Sequence, residues 1–277
     1  MATIPPPFSD KGKPIISSRI AFQYPDFRRY WFARLLSRFG TEMLNATVLW
    51  QMWILTKDPF DLGMVGLAQF APFFLLFLLS GVVSDRFQRK HIMAISMGCM
   101  SIAASGLFLI TITDTVSSIS ILVLLIFVGT SRAFDAPAQT AIVPLLVPKE
   151  HFGNAIAWGS LASQTAKIGG PALMSGLLLI GIEFVYGIVV LFFLLSASLT
   201  FLIKTYTQLT TKEPITLELL LGGLKFIWSR QIIFGAIALD MFAVLLGGAT
   251  ALLPIYATEI LNVGELGYGS LRMSMMV

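Results

Sequence analysis

Charge is scarce in this sequence. Asp, Glu, Lys and Arg make up 12% of the 277 residues, against about 25% in an ordinary soluble domain. A chain so poor in charge cannot clothe a water-facing surface, which excludes a soluble globular fold. Cysteine is reduced to Cys99, inside an apolar run, so a disulfide framework and a thiolate metal site are both excluded. The two histidines, His91 and His151, stand far apart, and neither H-E-x-x-H nor G-x-S-x-G occurs. No metal and no cofactor is therefore expected, and an integral-membrane enzyme is the weaker alternative. The opening MATIPPPFSDKGKP lacks the apolar core of a signal peptide, and residue 2 is Ala, so neither cleavage nor myristoylation is expected. The pI is about 9.3, yet the basic residues are spread through short loops and form no patch. Nucleic acid is not an expected partner.

What the sequence has in abundance is apolar length. Hydrophobic residues reach 56% and the mean hydropathy is +0.82. About 20 apolar residues cross a bilayer as a helix. Seven segments qualify, at 31–55, 62–84, 91–112, 118–137, 155–180, 184–203 and 231–256, and an eighth begins near Tyr268. The expected fold is an all-α, polytopic membrane protein in the lipid bilayer. Lysines and arginines in the loops set its orientation. One set of segment ends holds Lys11, Lys13, Arg19, Arg28, Arg29, Arg86, Arg89, Lys90, Lys149, Lys204, Lys212, Lys225 and Arg230; the other holds only Lys57. The N-terminus is expected inside, in a cell (inner or plasma) membrane. Trp31, Trp50 and Trp53 flank the first span, where an aromatic belt would place them.

The pattern divides the chain into a cytoplasmic tail (1–26), a six-helix bundle (27–203), a cytoplasmic linker with an interfacial helix (204–230) and the start of a second bundle (231–277). In the linker Leu217, Leu220, Leu221, Leu224, Ile227 and Trp228 recur at helical spacing. Asp61-Leu62-Gly63 and Glu265-Leu266-Gly267 open the second and eighth spans with an offset of 204, a faint sign of parallel repeats.

Several polar residues interrupt the apolar runs. In span one Arg34, Arg38, Glu42 and Asn45 fall on one helical stripe. The two arginines can snorkel to headgroups; Glu42 and Asn45 sit deeper and point to a wet cavity. Arg132 and Asp135 share a face of span four, and an Arg at that depth costs about 2.5–3.5 kcal/mol unless paired or hydrated. Two readings stay open there: a cavity arginine, or one snorkelling with Asp135 as its local partner. Lys167 in span five is either functional or half of a structural ion pair. Asp240 in span seven is another buried acid. Glu42, Asp135 and Asp240 are the candidates for proton uptake, and spacing does not choose among them.

After span two comes Gly81-Val82-Val83-Ser84-Asp85-Arg86-Phe87-Gln88-Arg89-Lys90. This run resembles G-x-x-x-D-R-x-x-R-K, the signature loop of the major facilitator superfamily. Gly129–Ala138 resembles the arginine region of that family's fourth helix in the branch similar to enterobactin and macrolide exporters. Ala166–Gly176 resembles the exporter motif G-x-x-x-G-P-x-x-G-G around Gly169, Gly170 and Pro171, with Ala166 where the motif begins on Gly and Met174-Ser175 where it ends on Gly-Gly.

The resemblance covers about residues 24–277. It implies a major facilitator fold, with a complete N-terminal six-helix bundle and the start of the C-terminal one. Gly81, Asp85, Arg86, Arg89 and Lys90 would form a conformational loop, in which Gly81 admits a close backbone and Asp85 faces a helix N-terminus of the other half. Arg38, Glu42, Asn45, Arg132, Asp135, Lys167 and Asp240 become cavity, proton or substrate candidates. The implied function is proton-coupled export of a small amphipathic molecule (drug, macrolide or siderophore) by alternating access, by a transporter that is monomeric when whole. A passive channel is a further alternative and lacks a reason for the signature loop. Twelve spans are usual in the family, so this chain is expected to be a fragment, a truncated and non-transporting product or one part of a split protein; a half-transporter that dimerises is the alternative.

Overall fold

The computed structural model describes residues 19–205, 230, 234–235, 239 and 248–274. Six long helices come first: α1 (Pro25–Thr56), α2 (Pro59–Arg86), α3 (Arg89–Ile112), α4 (Ser118–Leu146), α5 (Phe152–Leu178) and α6 (Ile182–Phe201). Beyond the linker lie a 3-10 turn at Gly248–Leu252, the single turn α7 (Leu253–Ile255), a π turn at Tyr256–Ile260, and α8 (Gly264–Ser274). No strand occurs among the described residues. The interfacial helix read in 204–230 falls on residues 206–229 for nearly all its length, and so lies outside the described residues.

Local chemistry explains the helix ends. Pro25 and Pro59 occupy first-turn positions, where a missing N–H costs nothing. The Asp58 carboxylate caps α2 by accepting from the Phe60 N–H at 2.8 Å. Ser117 and Ser120 form a reciprocal capping box at the start of α4. Helix α4 carries both Pro137 and Pro144 and runs on to Leu146. It therefore runs past 137, where the apolar span expected from sequence ends. Two carbonyls of this last stretch accept from neighbouring helices: Tyr30 Oη donates to the Gln139 carbonyl at 3.2 Å and Arg89 Nη1 to the Ala141 carbonyl at 2.6 Å.

The helices close into a bundle in which α2 packs on α4, α4 on α3, α3 on α6, α6 on α1 and α1 on α5, while α8 packs on α5. Among the described residues α2, α3, α4 and α6 are long and apolar enough to cross a membrane on their own composition. Helices α1 and α5 fall short because they carry the polar residues, and they pack against each other. Large apolar side chains cover the outside, with Leu75, Ile102 and Ile119 each at least 70% exposed. A surface of that kind has hydrocarbon as its solvent, and the chain is a multi-pass membrane protein.

Inside, interhelical hydrogen bonds do the work that hydrophobic burial does in water. Tyr186 Oη on α6 donates to Gln51 Oε1 on α1 at 2.7 Å, and Gln51 Nε2 donates to Thr111 Oγ1 on α3 at 3.0 Å. Ser196 Oγ donates to the Ala33 carbonyl at 2.9 Å. Small residues set the close approaches. A Cβ on Gly170 would stand 2.8 Å from Glu42 Cβ and 3.6 Å from the Met43 nitrogen. Gly169 and Gly170 of α5 are thus the surface on which α1 lies at Phe39, Glu42 and Met43.

The signature loop is pinned at its basic end. Lys90 Nζ is buried and donates to the Ile203 carbonyl at 2.9 Å, just past the C-terminus of α6, where the helix dipole favours a cation. On the same side the Asp26 carboxylate accepts from the Lys204 N–H at 3.1 Å, the Thr205 N–H at 2.8 Å and the Thr205 hydroxyl at 2.7 Å. At Gly81 an added Cβ would meet nothing within 4 Å among the described residues.

The two glycines predict opposite outcomes. Gly170→Ala overpacks the α1–α5 contact and should cost about 1–3 kcal/mol. Gly81→Ala gains helix propensity, about 0.5–1 kcal/mol. Thermal unfolding of the detergent-purified chain should show a lowered midpoint for the first and an unchanged or raised one for the second.

Candidate functional site

The stripe Arg34, Arg38, Glu42 and Asn45 occupies one side of α1, and all four side chains are half-buried. Helix α4 brings Arg132 and Asp135 to the same interior. Asp135 is 7% exposed. Its Oδ2 accepts from Gln139 Nε2 at 2.6 Å, one turn along α4, and its Oδ1 has no partner among the described residues. Arg34 Nη1 donates to Tyr30 Oη at 2.7 Å, and that hydroxyl donates onward to the Gln139 carbonyl. A relay of hydrogen bonds therefore runs from Arg34 through Tyr30 to the backbone of the residue that holds Asp135.

Arg132 and Asp135 do not form the local ion pair that their spacing allows. Arg132 Nη1 donates instead to Gln69 Oε1 on α2 at 3.2 Å. Gly129, one turn earlier, lets α4 lie against the Gln69 carbonyl and Pro72 of α2, which brings the two polar side chains into reach. The charges nonetheless form one field. Arg34, Arg38 and Arg132 all act on Asp135, and Arg38, Glu42 and Asp135 all act on Arg132. Three cations face two anions, with Arg34 Nε and Arg38 Nε also unpaired among the described residues.

Other candidates fall elsewhere. Lys167 is exposed on α5 and makes no hydrogen bond or ion pair among the described residues, so the structural ion pair weighed for it is not formed there. Asp85 is exposed at the end of α2, again without a described partner. Arg86 is half-buried beside it. Asp240 lies outside the described residues. Pro171 packs beneath α8, its carbonyl 3.1 Å from where a Cβ on Gly269 would stand. The groups that sequence reasoning missed are Gln69, Tyr30, Gln139 and Arg272. Gln69 and Gln139 were signalled by an amide inside an apolar helix, which needs a partner.

A cleft of about 400 Å³ opens beside this cluster, between α1, α2, α4 and the 248–274 segment. Asn45, Gln69, Arg132, Thr250 and Arg272 supply its polar wall; Leu49, Leu62, Val65, Phe70 and Phe73 are among its apolar residues. Size, an apolar lining and a few converging polar groups suit a small organic molecule.

Comparison with known proteins follows from this geometry. Residues 16–276 match the family of the major facilitator superfamily described as transmembrane secretion effectors. The chain belongs to this family. Curated relatives within the superfamily include the enterobactin exporter EntS of Shigella boydii serotype 18, 24% identical over 257 residues that cover 88% of this chain and 59% of that protein. The enterobactin exporter EntS of Escherichia coli O127:H6 aligns with the same identity and coverage. The chain thus spans about 59% of the length of the curated relatives it matches. Among solved structures it is similar to a bacterial homologue of the human lysosomal transporter Spinster, in an inward-facing and unoccupied conformation. The TM-score is 0.63 at 15% identity, over 90% of this chain and 58% of that one. The major facilitator fold expected from the signature loop is the fold observed.

Removing the amide that serves Asp135 tests the cluster. Gln139→Leu leaves a buried carboxyl without its hydrogen bond and should destabilise the protein by about 1–3 kcal/mol. Thr140→Ala, on the exposed side of the same turn, should stay within about 0.5 kcal/mol. Thermal unfolding of the two variants in one detergent makes the comparison.

Proposed function

We propose that this chain supplies the N-terminal bundle and the first part of the second bundle of a proton-coupled exporter for small amphipathic molecules, working by alternating access in the cell membrane with its N-terminus inside. The observation that carries the reading is the polar cleft, bordered by helices of the first bundle and by the 248–274 segment that follows the linker. A transporter whose halves rock about a midplane site needs its site at that boundary.

The contacts at one end of the boundary support alternating access. Trp53 Nε1 on α1 donates to Thr258 Oγ1 at 2.8 Å. Trp50 stacks on Tyr268 of α8 with ring centroids 5.1 Å apart and planes 24° apart. Lys57 Nζ reaches Glu259 Oε1 at 3.3 Å. Trp50 and Trp53 are 3% and 5% exposed, so they are buried in this clasp and do not form the interfacial belt expected for them. An indole buried at a helix–helix contact keeps its N–H satisfied only if a partner meets it, as Thr258 does. On the charge bias this end is the outer one, and the clasp is a closed outer gate. Opening it means breaking one buried indole bond and one aromatic stack; the exposed ion pair adds at most about 1 kcal/mol.

Asp135 is the best-placed acid for the proton. It is buried, half-satisfied, and lies in the field of three arginines. Substrate binding that moved any of those arginines would change the proton's affinity, which is the coupling an antiporter requires. The EntS relatives are enterobactin exporters, which supports the same direction, export.

Two measurements test this reading. Cells carrying the native locus should accumulate less of at least one compound in a drug, macrolide and siderophore panel than cells lacking it, and a protonophore should abolish the difference; equal accumulation throughout would overturn the proposal. In a Cys99→Ser background, Lys57→Cys with Glu259→Cys should permit a short thiol cross-linker to stop flux reversibly. Full flux through the cross-linked protein would rule out an opening gate at this end.

A further inference from the structure

The cleft contains an imbalance that the transport reading does not use. Among the described residues its wall holds two guanidinium groups, Arg132 from α4 and Arg272 from α8, and no carboxylate. Arg272 is 6% exposed. Its Nη1 donates to Tyr268 Oη at 3.1 Å, and that hydroxyl donates to the Ala46 carbonyl on α1 at 2.9 Å. The guanidinium is therefore fixed in place against α1, next to Asn45. Its Nε is buried without a hydrogen-bond partner among the described residues. Asn45 Oδ1 is in the same condition. Neither arginine has an ion-pair partner among the described residues; Arg132 has the neutral Gln69.

An arginine buried at membrane depth without an anion is costly. Here there are two at one cleft, with an orphaned donor on one and an orphaned acceptor on Asn45. A single ligand with two polar groups relieves all of them. A carboxylate accepts charge-assisted hydrogen bonds from Arg132 and Arg272. A hydroxyl or N–H a few bonds away donates to Asn45 Oδ1. The phenyl rings of Phe70 and Phe73, with Leu49 and Val65, take the apolar body. Lys167, the other intramembrane cation, does not line the cleft, and Glu42 and Asp135 act on Arg132 from outside it.

We infer that Arg132, Arg272 and Asn45 form a subsite for an organic acid: a small aromatic or apolar molecule that bears a carboxylate and, close to it, a hydrogen-bond donor. The inference rests on the proposed transport function for its purpose, since it names the substrate class of that same cleft. It separates this protein from pumps for cationic drugs, which such a cleft would repel. Arg272 is a substrate-contacting residue contributed from beyond the linker, so the subsite exists only when α8 is docked on α5 and α1.

Three ligands of one shape test it: indole-3-acetate (anionic), indole-3-acetamide (neutral) and tryptamine (cationic), each radiolabelled and measured by equilibrium dialysis against the purified 277-residue chain in detergent. Indole-3-acetate should bind at least about tenfold more tightly than the amide, as a charge-assisted pair requires, and tryptamine should bind least. Arg272→Gln should remove the preference for the acid. Because that variant could also loosen α8, Asn45→Asp provides the independent arm: it keeps the shape, places a negative charge that competes for the two guanidinium groups, and should remove the preference for indole-3-acetate over the amide. Lys167→Gln should leave all three affinities unchanged. Equal affinities for the three ligands, or an undiminished acid preference in Asn45→Asp, would overturn the subsite. Acid binding with these dependences in a protein that moves no solute would keep the subsite and defeat the transport reading. Protonophore-sensitive export without acid preference would do the reverse.

Discussion

Everything in this molecule follows from the cost of bringing a polar stripe through hydrocarbon. Helix α1 carries Arg34, Arg38, Glu42 and Asn45 along one side, and no single helix in lipid can hide four such groups. The bundle is the answer to that problem. Helices α4, α5 and α6 surround α1 with donors, acceptors and glycines, and the apolar residues of α2, α3, α4 and α6 face outward. Of that stripe Asn45 borders the cleft, while Arg34, Arg38 and Glu42 stay beside it in the charged cluster around Asp135 and Arg132.

The apolar spans and their order could be read from sequence because bilayer thickness fixes the length of each run. The limits of that reading also have physical causes. Span four is placed by its apolar run, whereas α4 continues past Pro137 to Leu146, a stretch whose Gln139 and Ala141 carbonyls bond to Tyr30 and Arg89 and which apolar length does not mark. Trp50 and Trp53 looked like interfacial residues because an indole suits a headgroup; only the packing of the 253–268 segment reveals what covers them. Arg132 and Asp135 were read as a possible pair from their i, i+3 spacing. Their real partners, Gln69 and Gln139, are set by the α2–α4 crossing and by the next turn of α4, and the crossing is invisible in one chain's periodicity. Arg272 was legible only as a cation within a span, since its role depends on α8 reaching α1.

The signature loop illustrates how one short motif serves two ends. Asp85 lies exposed at the end of α2, while Lys90 five residues later is buried and anchored just past the end of α6. Asp26 holds the first residues of the linker a short distance away in sequence from that anchor. The α2–α3 turn, the end of α6 and the start of α1 thus form a fixed platform from which the linker departs.

That platform shares a property with most of the cross-helix bonds described here. Lys90 binds the carbonyl of Ile203, Arg89 that of Ala141, Trp31 that of Trp158, Tyr30 that of Gln139 and Tyr268 that of Ala46. Each bond has a demanding side chain at one end and main chain at the other. The accepting position can change its side chain without breaking the contact, so evolution leaves no matched pair of substitutions to mark it. Methods that infer proximity from correlated mutation would find the apolar seams of this bundle and pass over the bonds that lock it.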